Sequence, residues 1–273
     1  VRLRLINAAN ARIFALELGA LNPQVIALDG QPVAPHEPEA GRVTLGPAMR
    51  ADVVLDMTGK PGQRISIQDS FYRRLAYRLL DVVYDAVPLR ERPPETPIKL
   101  ADNTMPEPDM ASVVRHEVRF NGGMMGGMMG RGSNSGGMMN MMKMMRQGKM
   151  WLINGVAASG HVMDPLVTLQ KGRSYVLDMQ NDTAWHHPIH LHGHSFRVLS
   201  RNGKATPHRE WQDTVLISPR QLVEIAFGAD NPGDWMFHCH IFEPQAGGMM
   251  GVVRVSGGGT RTRKEFACLP LRP

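Results

Sequence analysis

MFHCHIFEP (Met236–Pro244) sets one cysteine between two histidines inside an apolar run. Side chains along a β-strand alternate between faces, so His238 and His240 share one face and Cys239 takes the other. A second run, HHPIHLHGHSF (His186–Phe196), lies about fifty residues upstream and puts His190 and His192 on one face by the same rule. Together the runs hold seven of the eleven histidines. Buried imidazoles each need a partner, so this gathering points to metal ligation rather than core packing. A thiolate, imidazole and weak axial thioether form the ligand set of a blue-copper site. Met249, ten residues after Cys239, supplies a thioether. A structural zinc site needs only four ligands and would leave the histidine surplus unused.

Outward from these runs the chain reads as all-β. Segments such as VRLRLINA, PQVIALDG, RADVVLDM and QRISIQD alternate with period two, punctuated by Gly, Pro, Asn and Asp. Strands resume after residue 150 with MWLING, SYVLDMQND, DTVLIS, QLVEIAF and GVVRVS. The pattern predicts two antiparallel β-sandwiches, over residues 1–100 and 150–256, with linker and a Met/Gly-rich insert over 101–149 and a tail over 257–273. The length, 273 residues, suits two domains. Formal net charge is +6, but Lys and Arg are scattered, which argues against a nucleic-acid footprint. No apolar run reaches the roughly 18 residues of a membrane span, and VRLRLINAAN opens the chain as a strand pattern rather than a signal peptide. Cys239 and Cys268 admit a disulfide, yet the metal-binding residue types around Cys239 favour a thiolate ligand.

HPIHLHG and HCHIF…GGMM resemble the two copper motifs in the C-terminal cupredoxin domain of the multicopper oxidases. The Met-rich insert resembles that of the bacterial copper-efflux oxidases, a laccase-like branch that oxidises Cu(I). VRLRLINAANAR is similar to an inner strand of the family's middle domain. The resemblance implies two cupredoxin-like Greek-key β-sandwiches with copper as cofactor. It places His187, Cys239 and Met249 at the mononuclear type 1 copper, His190 at the type 2 copper, and His192, His238 and His240 at the type 3 pair. The last four make up half of a trinuclear centre where dioxygen is reduced to water. An oxidoreductase taking single electrons from Cu(I) or a small phenolic substrate follows, with a periplasmic or secreted address. Thioethers are soft ligands suited to Cu(I). Candidates for its capture are Met124, Met125, Met128, Met129, Met138, Met139, Met141, Met142, Met144 and Met145.

The chain departs from the family pattern in two places. Five residues after the cysteine the family has a second type 1 histidine; here that position is Pro244, flanked by Glu243 and Gln245. The N-terminal His-x-His pairs that complete the trinuclear centre have no match, nor do the first strands of the middle domain. His36, His116, His161 and His208 stand isolated. A second chain is one source of the missing ligands. A second reading therefore stands beside the oxidase: a non-catalytic module that sequesters copper.

Overall fold

The computed structural model describes residues 1–87, 98–123, 146, 148–159 and 164–257. The candidate Cu(I)-capture methionines, Met124 to Met145, and Cys268 lie outside these residues.

The first sandwich faces two four-stranded sheets. One has the order β1 (Arg2–Ile6), β6 (Arg50–Val54), β3 (Gln24–Leu28), β4 (Gln31–His36); the other β5 (Arg42–Leu45), β2 (Phe14–Glu17), β7 (Arg64–Asp69), β8 (Tyr77–Val83). Their alternation is that of the sequence: Val43 and Leu45 of β5 are buried while Arg42 and Thr44 face water. Ile13, Leu18, Leu21, Val53, Leu55 and Ile67 fill the space between the sheets. Each such side chain contributes about 1.5–3 kcal/mol by leaving water.

The second sandwich is larger. A seven-stranded sheet runs β10 (Trp151–Ile153), β9 (Val114–Gly122), β12 (Ser174–Asn181), β18 (Leu222–Gly228), β14 (Phe196–Arg201), β15 (Lys204–Ala205), with β16 (Trp211–Gln212) also on β14. Facing it, a five-stranded sheet runs β11 (Val167–Gln170), β20 (Met250–Ser256), β19 (Gly233–Cys239), β13 (His187–Leu191), β17 (Thr214–Ile217). Among the described residues helix comprises short 3-10 turns, a single helical position at Arg146 and one five-residue helix, α1 (Phe242–Ala246).

Two features differ from the sequence reading. The sheets are not wholly antiparallel, because β9 pairs β12 and β11 pairs β20 in parallel. Long crossovers separate the members of each pair, which is what parallel neighbours require. The stretch 101–149, expected as linker and insert, also contains β9, an inner strand of the second sandwich. Its segment VRHEVRFNG carries charge at alternate positions and only Val118 and Phe120 are fully buried, so its apolar signal is short. Since β9 pairs antiparallel with β10, the insert leaves and re-enters the second sandwich at one point. There the Gly123 N–H donates to Met150 O at 2.9 Å. Gly122 next to it has φ +103°, and an added Cβ would lie 2.1 Å from Met150 O, so the root demands glycine.

The sandwiches meet along β17. Leu216 of that strand is buried within the first sandwich's core, and Arg50 and Asp29 of the first sandwich bind the chain just before it.

Candidate metal centre

The register of β13 against β19 builds the site. Ile189 pairs with Cys239, His190 with His238 and Leu191 with Phe237. The pleat therefore turns His187 and Cys239 into the core and sends His190 and His238 to the other face. The same alternation carries His192 and His240, just beyond the strand ends, to the side of His190.

On the core side, Cys239 Sγ lies 3.6 Å from His187 Nδ1, and both residues are fully buried. One cation with bonds of about 2.3 Å to sulfur and about 2.0 Å to nitrogen would hold these atoms at that separation with an angle near 114°. Met249 is fully buried beside them: its O accepts from the Cys239 N–H at 3.1 Å and its N–H donates to Pro244 O at 2.8 Å. Gly248, at φ +116°, makes the sharp turn from α1 into β20 that brings Met249 back to the cysteine; an added Cβ there would meet Trp151 O at 2.6 Å. Burial pushes the Cys239 thiol up to about 12. Such a thiol is inert as a nucleophile and ionises when a soft cation displaces its proton.

A chain of hydrogen bonds sets the tautomer of His187. Asn181 Nδ2 donates to Trp185 O and Ser218 O, so its Oδ1 is the acceptor facing Thr183. The Thr183 hydroxyl has one proton and gives it to Asn181 Oδ1 at 2.7 Å. The same oxygen lies 2.8 Å from His187 Nε2, which must then be the donor. His187 Nδ1 is left with a free lone pair facing the sulfur. Burial, with a smaller contribution from His186, lowers the His187 pKa to about 3, so the ring is neutral and ready to ligate. Replacing Thr183 with Val keeps the shape and strands that N–H. Expected outcomes are a loss of about 1–3 kcal/mol in chemical denaturation and copper binding weakened about tenfold or more in an equilibrium titration. Thr183→Ser, which keeps the hydroxyl, should recover both.

On the opposite face four imidazoles crowd together. Ring centroids lie 4.7 Å apart for His190–His192, 5.2 Å for His192–His238 and 5.2 Å for His238–His240. His190 Nδ1 donates to Asp213 O at 2.8 Å, and His238 Nδ1 donates to Cys239 O at 2.8 Å. Both rings therefore offer Nε2, and that of His238 lies 3.0 Å from His192 Nε2. Burial lowers the His238 pKa to about 4, with the neighbouring imidazoles adding to the effect. Among the described residues no three His, Cys, Asp or Glu side chains form a complete metal site by themselves.

Pro244, which the family resemblance sets against a second type 1 histidine, precedes Met249 by five residues and its O accepts from the Met249 N–H at 2.8 Å. It is buried in the first turn of α1, where its missing N–H costs nothing. Of the two flanking residues, Glu243 is committed elsewhere. Glu243 is exposed, and its Oε1 accepts from Trp151 Nε1 at 2.9 Å.

Sequence reasoning missed Thr183, Asn181, Asp213 and Trp151. The Trp151 ring is buried edge-on to His187 with centroids 5.2 Å apart. The insert thus re-enters against the candidate metal centre, for which a tryptophan directly after the insert was the only signal. His194, within the first cluster, turns away toward Phe227 and Trp235.

A cupredoxin-like β-sandwich with a buried Cys–His–Met set behind an outward cluster of imidazoles is that of a copper protein. Residues 134–258 match the family model described as multicopper oxidase. The multicopper oxidase MmcO of Mycobacterium tuberculosis is 29% identical over 91% of this chain and 45% of its own length. A multicopper oxidase structure from Pseudomonas thermotolerans superposes with TM-score 0.76 at 28% identity, covering 94% of this chain and 55% of that one. A laccase-like multicopper oxidase from Ochrobactrum, described as active towards lignin model compounds, gives TM-score 0.73 at 29% identity with the same coverages. Residues 134–258, just under half of the chain, are thus similar to the multicopper oxidases, and copper is the cofactor that this similarity implies. It spans about half the length of the curated relatives it matches in full.

Proposed function

We propose that this chain is the copper-binding half of a laccase-like oxidoreductase, coupling one-electron oxidation of Cu(I) or a small phenol to reduction of dioxygen. The observation that supports this reading is the back-to-back placement of donors on three consecutive residues. His238 and His240 point outward with His190 and His192, while Cys239 points inward to His187. That backbone is a short covalent connection between two donor sets, which a storage site would not need. Bound copper would supply the one-electron chemistry that these side chains lack. His187, Cys239 and Met249 would hold the core-side ion; His190 would contribute to the type 2 position and His192, His238 and His240 to the type 3 pair. The remaining ligands would come from another segment or a second chain.

The route of the insert supports Cu(I) as substrate, since its ends flank Trp151, and Trp151 packs on His187. His187 itself is sealed from water, so a phenol would dock against the exposed Trp185 or Phe242 nearby. A periplasmic or secreted address fits both substrates; among the described residues no helix is long and apolar enough to cross a membrane. Pro244 favours the second reading, a module that holds copper without turnover.

Copper content per chain, the copper–thiolate visible band and oxygen uptake with Cu(I) or a phenol separate the two. Turnover that weakens when residues 124–145 are replaced by a Gly/Ser linker is the expected result for Cu(I). Copper bound at both donor sets with no oxygen uptake, even after adding the missing half of a relative, would sink the oxidase reading.

A further inference from the structure

The imidazole cluster lies in the second sandwich, yet the first sandwich grips the loop that orients one of its rings. Asp29 sits in the tight turn between β3 and β4, in the left-handed region at φ +47°, and is buried. Its Oδ1 accepts from the Arg50 N–H at 2.9 Å, and its Oδ2 accepts from the Asp213 and Thr214 N–H groups at 3.1 Å each. Arg50 Nη1 and Nη2 reach Asp213 Oδ1 and Oδ2 at 2.8 and 2.6 Å, a two-pronged pairing that fixes direction as well as charge. A third prong, Arg50 Nη2 to Asp29 O at 3.0 Å, ties the guanidinium back to the turn. On its far side the gripped segment meets His190: Asp213 O accepts from Nδ1 at 2.8 Å, and Thr214 Oγ1 lies 3.0 Å from the same nitrogen.

We propose that Asp29 and Arg50 are positioning residues for His190, holding Asp213–Thr214 so that the ring keeps its Nδ1–H tautomer and presents Nε2 to the cluster. This rests on the reading of His190 as a copper ligand. The alternative role, an ion pair that merely glues the sandwiches, does not account for the geometry. Glue needs no bond to the two main-chain N–H groups whose residues contact His190. All three donors to the Asp29 carboxylate are main-chain N–H groups, so an asparagine there must turn its own NH2 toward at least one of them. Asp29→Asn therefore breaks one end of the grip in either orientation. Arg50→Met removes the other end while keeping the length of the side chain.

The test uses the full chain. Ring-nitrogen chemical shifts of His190 in the copper-free protein report the tautomer, and titration with Cu(II) reports affinity. The parent is expected to show the Nδ1–H form. Asp29→Asn and Arg50→Met are expected to mix the tautomers and weaken Cu(II) binding at the imidazole cluster by 10- to 100-fold. The Cys239 site should keep its affinity, and Arg50→Lys should recover part of the loss. An unchanged tautomer in both folded variants overturns the proposal and leaves the copper reading of His190 standing. A shifted tautomer with unchanged Cu(II) affinity overturns that copper reading, and the proposal with it.

Discussion

Stability of the copper-free chain is expected to fall steeply as pH drops from about 6.5 toward 4. His187 is fully buried and His238 nearly so, and their pKa values are lowered by burial to about 3 and about 4. The unfolded chain titrates its histidines near 6.5. Between those values the unfolded state binds more protons than the folded one, so acid favours unfolding. Each histidine costs about 1.4 kcal/mol per pH unit in that window, or at most about 3 kcal/mol by pH 4. Against a total of roughly 5–15 kcal/mol, two such groups are a large fraction. His36, His186, His192, His194 and His240 are lowered too and act in the same direction. Asp29 opposes them: burial and the Asp213 charge raise it to about 6, so its protonation favours the folded state below that pH. It offsets one histidine at most. Urea unfolding of the copper-free chain across this range checks the slope. His187→Gln and His238→Gln should each remove about 1.4 kcal/mol per pH unit from it. A flat profile from pH 7 to 5 would show that these rings are protonated in the folded chain.

The groups behind that slope were legible in the sequence, because alternation along a strand is a local property. HCH states that Cys239 faces away from His238 and His240, and the β13–β19 register agrees. What surrounds the donors was not legible. Thr183 and Asn181 set the His187 tautomer through three-dimensional contact and carry no periodic signal. Asp29 meets Asp213 across 184 residues, a pairing that no pattern along the chain encodes. The placement of β9 failed for a third reason. Arg115, Glu117 and Arg119 fill its solvent face, and Pro- and Gly-rich sequence on either side made the strand look like part of a linker.

Pro244→His is expected to turn a weak or absent visible copper–thiolate band into an intense one. The parent's core-side set has His187 Nδ1 and Cys239 Sγ 3.6 Å apart with Met249 packed beside them, but no second imidazole. A cation held by one thiolate, one imidazole and one weak thioether lacks a strong third ligand in its plane. The backbone at position 244 is well suited to supply one. Pro244 lies in the first turn of α1, its carbonyl already accepts from the Met249 N–H at 2.8 Å, and its side chain is buried. Histidine adopts the same helical φ, so the change costs little beyond the lost rigidity of the ring, about 1 kcal/mol or less. The added imidazole should tighten Cu(II) binding at this set at least on the order of tenfold, about 1.4 kcal/mol. Parent and variant loaded with equal copper are compared by absorbance, and affinity by competition with a chelator. A band of equal strength in the parent would mean that another donor already fills the gap. Glu243 would then have to leave Trp151 Nε1, and the single variant Glu243→Ala, with Pro244 kept, would lose the band. No band in either protein would locate the defect outside position 244 and end the claim that proline disables the site.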